Sequence, residues 1–471
     1  MIVFAAHSNV FRPFGRRLRQ IGSAVLVIPA FAVLILLLPE FQQPAFANDP
    51  VRYEGVASCA GSTCHGRSEG NGKVVRQDEL LHWQEPSSAS GAHSRTYDAL
   101  AGRRGNRIAA ELGLGSAADA PACLGCHATF VPPMQRGDRF LVSDGVGCES
   151  CHGASSGWIS SHYAVPATHQ SNIAAGLRPL ERPDVRASTC LDCHFGSDRP
   201  GQFVSHRMMA AGHPRISFEL DLFSTLQQHH DEDADYVRRK QRTDSVQLWA
   251  VGQALAIRRS LDLFARQDFG MEGIFPEFYF YDCHSCHRRI ADGPGLPRRF
   301  EVNPGRPIPF GMPPYNDENI IMLSAVAQVL APRQATAFDN AARGFHAAMG
   351  NGRVETVAAA RRLDQATGAL ATELAQGQYG PDTAFVVIAR IAGQAISARF
   401  TDYEGSAQAV MAVDTLLNAL VKQGRITLGA AAGIRRDVNR AYAAVSDPND
   451  YNPPAFRAAL GNAARSVAAL Q

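Results

Sequence analysis

All ten cysteines of this chain fall into five pairs, and in every pair the second cysteine is followed at once by histidine. The pairs are Cys59/Cys64-His65, Cys123/Cys126-His127, Cys148/Cys151-His152, Cys190/Cys193-His194 and Cys283/Cys286-His287. Four of them carry the spacing C-x-x-C-H, the attachment motif of c-type haem. Two thiols add across the haem vinyl groups, and the next histidine is set beneath the iron as its proximal ligand. Zinc ribbons also use C-x-x-C pairs but have no reason to follow each with His. Disulfides would each have to close a very tight ring, five times over, and a thioredoxin-like redox site needs one pair. The reading is five covalent haem c groups, held by the ten cysteines, with His65, His127, His152, His194 and His287 as iron ligands. The first pair departs from the pattern, because Ala60-Gly61-Ser62-Thr63 separates its thiols. Gly61 and its small neighbours can let that loop bulge while Cys64 and His65 stay adjacent, and no other cysteine competes for the role.

Each iron also needs a sixth ligand, and the chain has 16 histidines to draw on. His7 lies near the N-terminus and His284 inside the fifth motif. His82, His93, His162, His169, His206, His213, His229 and His230 all lie within the stretch that holds the motifs, and only His346 lies far downstream. That clustering favours bis-His coordination and low-potential, electron-transferring haems. His162/His169 and His206/His213 are each seven residues apart, so on a helix each pair would share one face and could serve two neighbouring haems. A helix from His206 would end at Pro214. His229 and His230 precede Asp231, Glu232 and Asp233 and read as a solvated turn; Met208 and Met209 read as helix packing, and His346 as structural.

The N-terminus explains where such chemistry would be done. Arg12, Arg16, Arg17 and Arg19 precede an uncharged apolar run, Ile21 to Leu38, and Ala45-Phe46-Ala47 follows. Residues 1–47 therefore read as a secretory signal peptide cleaved after Ala47, or as a retained membrane anchor, since 18 apolar residues just span a bilayer. Leu18-Arg19-Gln20 fits a twin-arginine signal poorly. Either way the bulk of the chain is exported, which places it in the periplasm, free or anchored to the inner membrane. The formal net charge of +2 comes largely from that leader. The remainder is close to neutral, which argues against nucleic acid as a partner.

The motif surroundings carry a resemblance. Gly145-Val146-Gly147-Cys148-Glu149-Ser150-Cys151-His152-Gly153, with Trp158 and His162 after it, resembles the cytochrome c-554 family of multihaem c-type cytochromes. So do Cys123-Leu124-Gly125-Cys126-His127 and the stretch from Trp83 to His93-Ser94-Arg95-Thr96-Tyr97. The resemblance spans about residues 52–200. It implies a periplasmic electron carrier with haems in stacked pairs, mostly bis-His ligated, and makes His93 and His162 distal ligands. The type member has four haems, a C-x-x-C-H first motif and no counterpart to the C-terminal third, and one of its haems has an open distal site that binds nitric oxide.

The expected fold is mainly α. A pentahaem domain over residues 48–315, with short helices and loops around stacked haems, is followed by an alanine-rich helical bundle over 316–471. A proline-rich stretch from Pro294 to Pro314 separates them. Helices are expected at Glu318–Ala331, Gln334–Met349, Val354–Leu374, Asp382–Phe400, Gly405–Val421 and Gly429–Val445. Thr401-Asp402-Tyr403-Glu404 reads as a capping box, and Gly424 as a helix stop. The bundle would fold without haem and serve partner docking or oligomerisation. Distal candidates are thus His93, His162, His206 and His213. The function that follows is non-enzymatic electron transfer between a periplasmic or membrane-bound donor and acceptor. The alternative is an oxidoreductase acting on nitrite, hydroxylamine or nitric oxide at one open iron. No motif here ends in the Cys-x-x-Cys-Lys of pentahaem nitrite reductases, so catalysis lacks a candidate residue. A haem sensor is a third reading, with no signalling motif behind it.

Overall fold

The computed structural model describes residues 51–70, 75–240, 242–267, 269, 275–287, 306–309, 311–397 and 403–471. The leader, most of the proline-rich stretch and the first half of the expected capping box lie outside them. Helices dominate, and among the described residues the only β-type pairings are two isolated bridges. The motif-bearing region has short helices: α1 (Glu79–Gln84), α2 (Thr96–Ala101), α3 (Arg103–Glu111), α4 (Pro121–His127), α5 (Cys148–His152), α6 (His169–Ala174), α7 (Pro183–His194), α8 (His206–Ala210), α9 (Leu220–Leu226) and α10 (Ala234–Arg239). They are joined by long loops, as expected where side chains alone do not fill the interior.

A different regime begins at α11 (Ser245–Ala265), where Leu248 through Ala254 are buried without a break. A helix buried on all sides is a core element. Around it lie α12 (Glu318–Leu330), α13 (Pro332–Ala348), α14 (Arg353–Gln376), α15 (Thr383–Ala395), α16 (Tyr403–Lys422), α17 (Leu428–Ala444) and α18 (Pro453–Ala468). α11 packs on α14, α12 and α16 of the C-terminal region and also on α7 and α9 of the motif region. The boundary expected between residues 315 and 316 is therefore not a gap in packing. One hydrophobic cluster runs from Ala187 to Val467, and residues 50–471 form one compact unit.

Six C-terminal helices coincide with their expected positions to within a few residues, apart from α15, which stops at Ala395. Val410, Val413, Leu417 and Leu420 on α16 are fully buried. Gly424, at φ +69°, ends that helix: its N–H bonds the Val421 carbonyl while Arg425 N–H bonds Leu420. Only a residue at ease in the left-handed region closes a helix this way. α11 and α18 were not expected from the sequence.

Candidate haem sites

The second to fourth motifs each form the last turn of a helix. Cys123–His127 ends α4, Cys148–His152 makes up α5 and Cys190–His194 ends α7. Residues four apart lie one above the other on a helix, so the histidine stands directly over the first cysteine. In the fifth motif, a short 3₁₀ turn at Cys283–Ser285, the same relation is made by one bond, His287 N–H to the Cys283 carbonyl at 2.7 Å. The irregular first motif preserves it. His65 N–H bonds the Cys59 carbonyl at 3.2 Å, and Cys64 N–H bonds Gly61 at 2.8 Å, so the two extra residues are looped out. The loop closes tightly enough that a Cβ at Gly66 would sit 2.1 Å from the Ala60 carbonyl oxygen.

The motifs approach one another in pairs. The Cys59 and Cys148 thiols are hydrogen-bonding neighbours, and so are those of Cys126 and Cys193. All ten cysteines are free thiols in the structure. Burial pushes Cys151 up to about 11 and Cys190 and Cys283 up to about 12. Thiols so protonated are poor nucleophiles.

The residues that carry the family resemblance are the fasteners of this region. The buried Glu149 carboxylate accepts from Glu54 N (2.9 Å), Gly55 N (2.8 Å) and Ser155 N (2.7 Å), tying the first motif's approach to the third motif. Val146 receives Trp83 Nε1–H on its carbonyl and donates its own N–H to the His93 carbonyl. His127 Nδ1–H donates to the Thr96 carbonyl at 2.9 Å, so Thr96 orients one motif histidine from the segment that carries His93. Trp158 meets the His162 ring edge-on at 5.4 Å between centroids.

The most informative geometry is between histidine rings. His65 faces His162 at 6.3 Å between centroids, His127 faces His213 at 6.2 Å, His194 faces His93 at 6.1 Å and His287 faces His206 at 6.1 Å. His152 faces both His229, at 6.2 Å, and His230, at 6.0 Å. An imidazole nitrogen sits about 2.0 Å from a first-row metal, and its ring centre roughly a further 1.1 Å behind it by ring geometry. Two imidazoles on opposite sides of one iron therefore have centroids about 6.2 Å apart. All five motif histidines meet that separation, so the residues present fit axial coordination of haem iron.

His93, His162, His206 and His213 thus each stand opposite a motif histidine, but not by the helical route expected. His162 and His169 share no helix, because Pro166 lies between them and Thr168 starts α6 afresh with a capping box to Ser171. His169 bonds Glu181 at 2.6 Å instead. α8 stops at Ala210: Gly212, at φ +107°, donates to Met209 and His213 N–H to Met208, the two bonds of a Schellman cap. That cap swings His213 toward His127 while His206 faces His287. His229 and His230 correct the expected solvated turn. His229 is mostly enclosed, and with His152 both present ligand atoms all within 4.8 Å of one another. Their acidic neighbours misled the sequence reading; the signal available was a third motif otherwise lacking a partner. His346 is fully buried and pairs with Asp317 at 3.0 Å, a core contact. His284 Nδ1–H donates to the Pro448 carbonyl.

The fifth motif draws on the C-terminal helices. Glu404, on α16, accepts the Cys283 N–H at 3.0 Å and pairs with Arg215. Arg215 is half-buried, reaches the Cys283 sulfur at 3.3 Å and lies over the Tyr279 ring at 4.9 Å. Burial works against its charge, but Glu404 beside it keeps the guanidinium protonated well beyond its ordinary range.

Cys286 differs from Cys283 of the same motif in its burial. It is exposed, as is Cys64 of the first motif, whereas the other eight are buried or half-buried. The Ser285 hydroxyl, 3.8 Å from its sulfur, comes from the adjacent residue and encloses nothing. The cause is local. Cys286 closes a three-residue 3₁₀ turn, its N–H bonded to the Cys283 carbonyl at 3.2 Å, not a helix packed on its neighbours. Arg215 and Glu404 fasten Cys283 at the start of that turn and leave its far end in solvent. Among the described residues, Cys283 is half-buried and Cys286 is exposed.

Cysteine pairs with an adjacent histidine on a mainly helical frame define a c-type cytochrome, which binds haem c covalently and transfers electrons. A family model described as cytochrome c554 and c-prime matches residues 59–153, about a fifth of the chain, and that segment is similar to this family. Neither the comparison with curated proteins nor that with solved structures found a match.

Proposed function

We propose that the protein is an exported, periplasmic pentahaem electron carrier, handing electrons between a donor and an acceptor protein without chemistry of its own on a small molecule. The observation that carries this reading is the ring separation of 6.0–6.3 Å opposite every motif histidine. Bound haem supplies a one-electron iron couple. The chain supplies two imidazoles per iron, which favour both oxidation states in one geometry and leave no open position for a substrate. His65, His127, His152, His194 and His287 are the proximal ligands; His162, His213, His93 and His206 are distal to the first, second, fourth and fifth. The exposed Cys64 and Cys286 would each hold one of the two thioether links of the first and fifth haems. Close approach of the first motif to the third, and of the second to the fourth, supports stacked haem pairs. No described helix is long and apolar enough to cross a membrane, and the leader decides between free and anchored protein.

Intact mass of the purified mature protein tests the count. Five covalent haems are expected, each adding about the mass of one haem. Four or fewer would end the pentahaem reading.

A further inference from the structure

The third motif has one iron position and two histidines facing it. His229 and His230 are consecutive, their ring centroids lie 4.2 Å apart, and each stands 6.0–6.2 Å from His152. A single iron takes only one of them at a time. His229 has its Nδ1 hydrogen-bonded and His230 has its Nδ1 at ion-pair distance from a carboxylate, which leaves Nε2 of each for a metal. The acceptors differ. His229 Nδ1–H donates to the Gln227 carbonyl at 2.7 Å. His127, His162 and His213 likewise donate Nδ1–H to backbone carbonyls, those of Thr96, Ile159 and Pro214. His230 Nδ1 lies 3.6 Å from the Glu79 carboxylate, whose other oxygen accepts from His65 Nδ1 at 3.0 Å. Glu79 is almost fully buried. One carboxylate therefore bonds a histidine of the first motif and lies within ion-pair distance of a histidine beside the third.

We propose that His229 and His230 are interchangeable distal ligands of the third haem, and that Glu79 makes the second state a link between the first and third haems. This rests on the pentahaem, bis-His reading above. His229 is the resting ligand: it is the more enclosed of the two and has the better-formed Nδ1 bond, whereas the His230 side chain is 38% exposed. In the exchange one iron–Nε2 bond breaks and one forms. Both Nδ1 protons stay in place, and no electron leaves the site. The state with His230 bound carries a carboxylate behind its distal imidazole, which raises ligand basicity and favours the oxidised iron. Its potential is lower than that of the resting state.

Spin state and haem-by-haem potentials of the full-length holoprotein test this. H229N and H230A alone are expected to keep every iron low-spin, because the remaining histidine ligates. The double variant H229N/H230A is expected to show one high-spin iron, returned to low spin by added imidazole. In H229N the third haem's potential falls, and adding E79Q raises two potentials, whereas E79Q in the wild-type background raises one. One high-spin iron in either single variant overturns the exchange, as does a double variant that stays low-spin. An E79Q effect on the same single haem in both backgrounds overturns the link. A wild-type protein with fewer than five haems, or with a high-spin iron, would instead count against the underlying reading.

Discussion

At the scale of single residues, the five motif histidines were readable from sequence because covalent attachment fixes them to neighbouring cysteines. Their partners were readable only by elimination. His93 and His162 came from the resemblance, and His206 and His213 from a spacing that assumed one helix through both, whereas α8 stops at Ala210. Pro166 and Gly212 already break those helices in the sequence, yet loops and caps bring these residues opposite motif histidines. His229 failed for a physical reason: the charge of Asp231, Glu232 and Asp233 says how the turn meets water, not what its other side packs against. The exposure of Cys286 was hidden for a related reason, since motif spacing fixes bonding distances and not burial. The pairing of His93 with His194 leads to a specific expectation. His93→Ala should turn one iron from low to high spin, the one bound through Cys190 and Cys193, with all thioether bonds retained. Near-infrared magnetic circular dichroism reads this, and an unchanged low-spin spectrum would remove His93 from the ligand set. Glu149→Ala should cost more, because three buried N–H groups lose their acceptor at about 1–3 kcal/mol each. Urea unfolding showing a loss under about 1 kcal/mol would contradict that role.

Among the elements, the C-terminal helices were legible because alanine-rich, amphipathic sequence leaves few alternatives. α11 was not: its unbroken apolar run has no face to detect, and it sits among motif loops where long helices were not expected. The start of α9 shows what its burial costs. Glu219 accepts from Asp221 N and Leu222 N and from Thr415 on α16. Burial raises Glu219 to about 7, and burial together with the Glu219 charge raises Asp221 to about 8. A carboxyl whose folded value is raised holds its proton in the folded state after the unfolded chain has lost it. Its contribution is therefore complete below about pH 4 and is lost as pH rises toward 8. Asp221→Asn should remove much of that slope, leaving stability little changed at pH 4 and raising it at pH 8. Urea unfolding at several pH values checks this, and parallel profiles for variant and parent would refute it.

For the whole molecule, the composition change after Pro314 suggested an independent tail, and what it concealed is long-range pairing. Glu404 holds the Cys283 N–H across 121 residues of sequence and faces the half-buried Arg215. No local pattern announces such a contact. Removing one partner from a buried ion pair typically costs about 3–5 kcal/mol, and here it also frees the backbone of the fifth motif's turn. Glu404→Ala should lower stability by that order and shift the spectrum and potential of one haem, the fifth, leaving the other four in place. A variant with all five potentials unchanged would restore the picture of a tail independent of the redox centres. The same coupling bears on partner docking: a protein bound on the C-terminal helices would sit within reach of the fifth haem's surroundings.

The claim on which the account depends is that every iron has two imidazoles. Quantifying high-spin iron in the oxidised, resting holoprotein by electron paramagnetic resonance tests it most directly. The account predicts five low-spin irons and no high-spin signal at the level of one iron per chain. A high-spin signal integrating to one iron per chain would reveal an open position, contradict the carrier reading and move the protein toward catalysis on a small ligand.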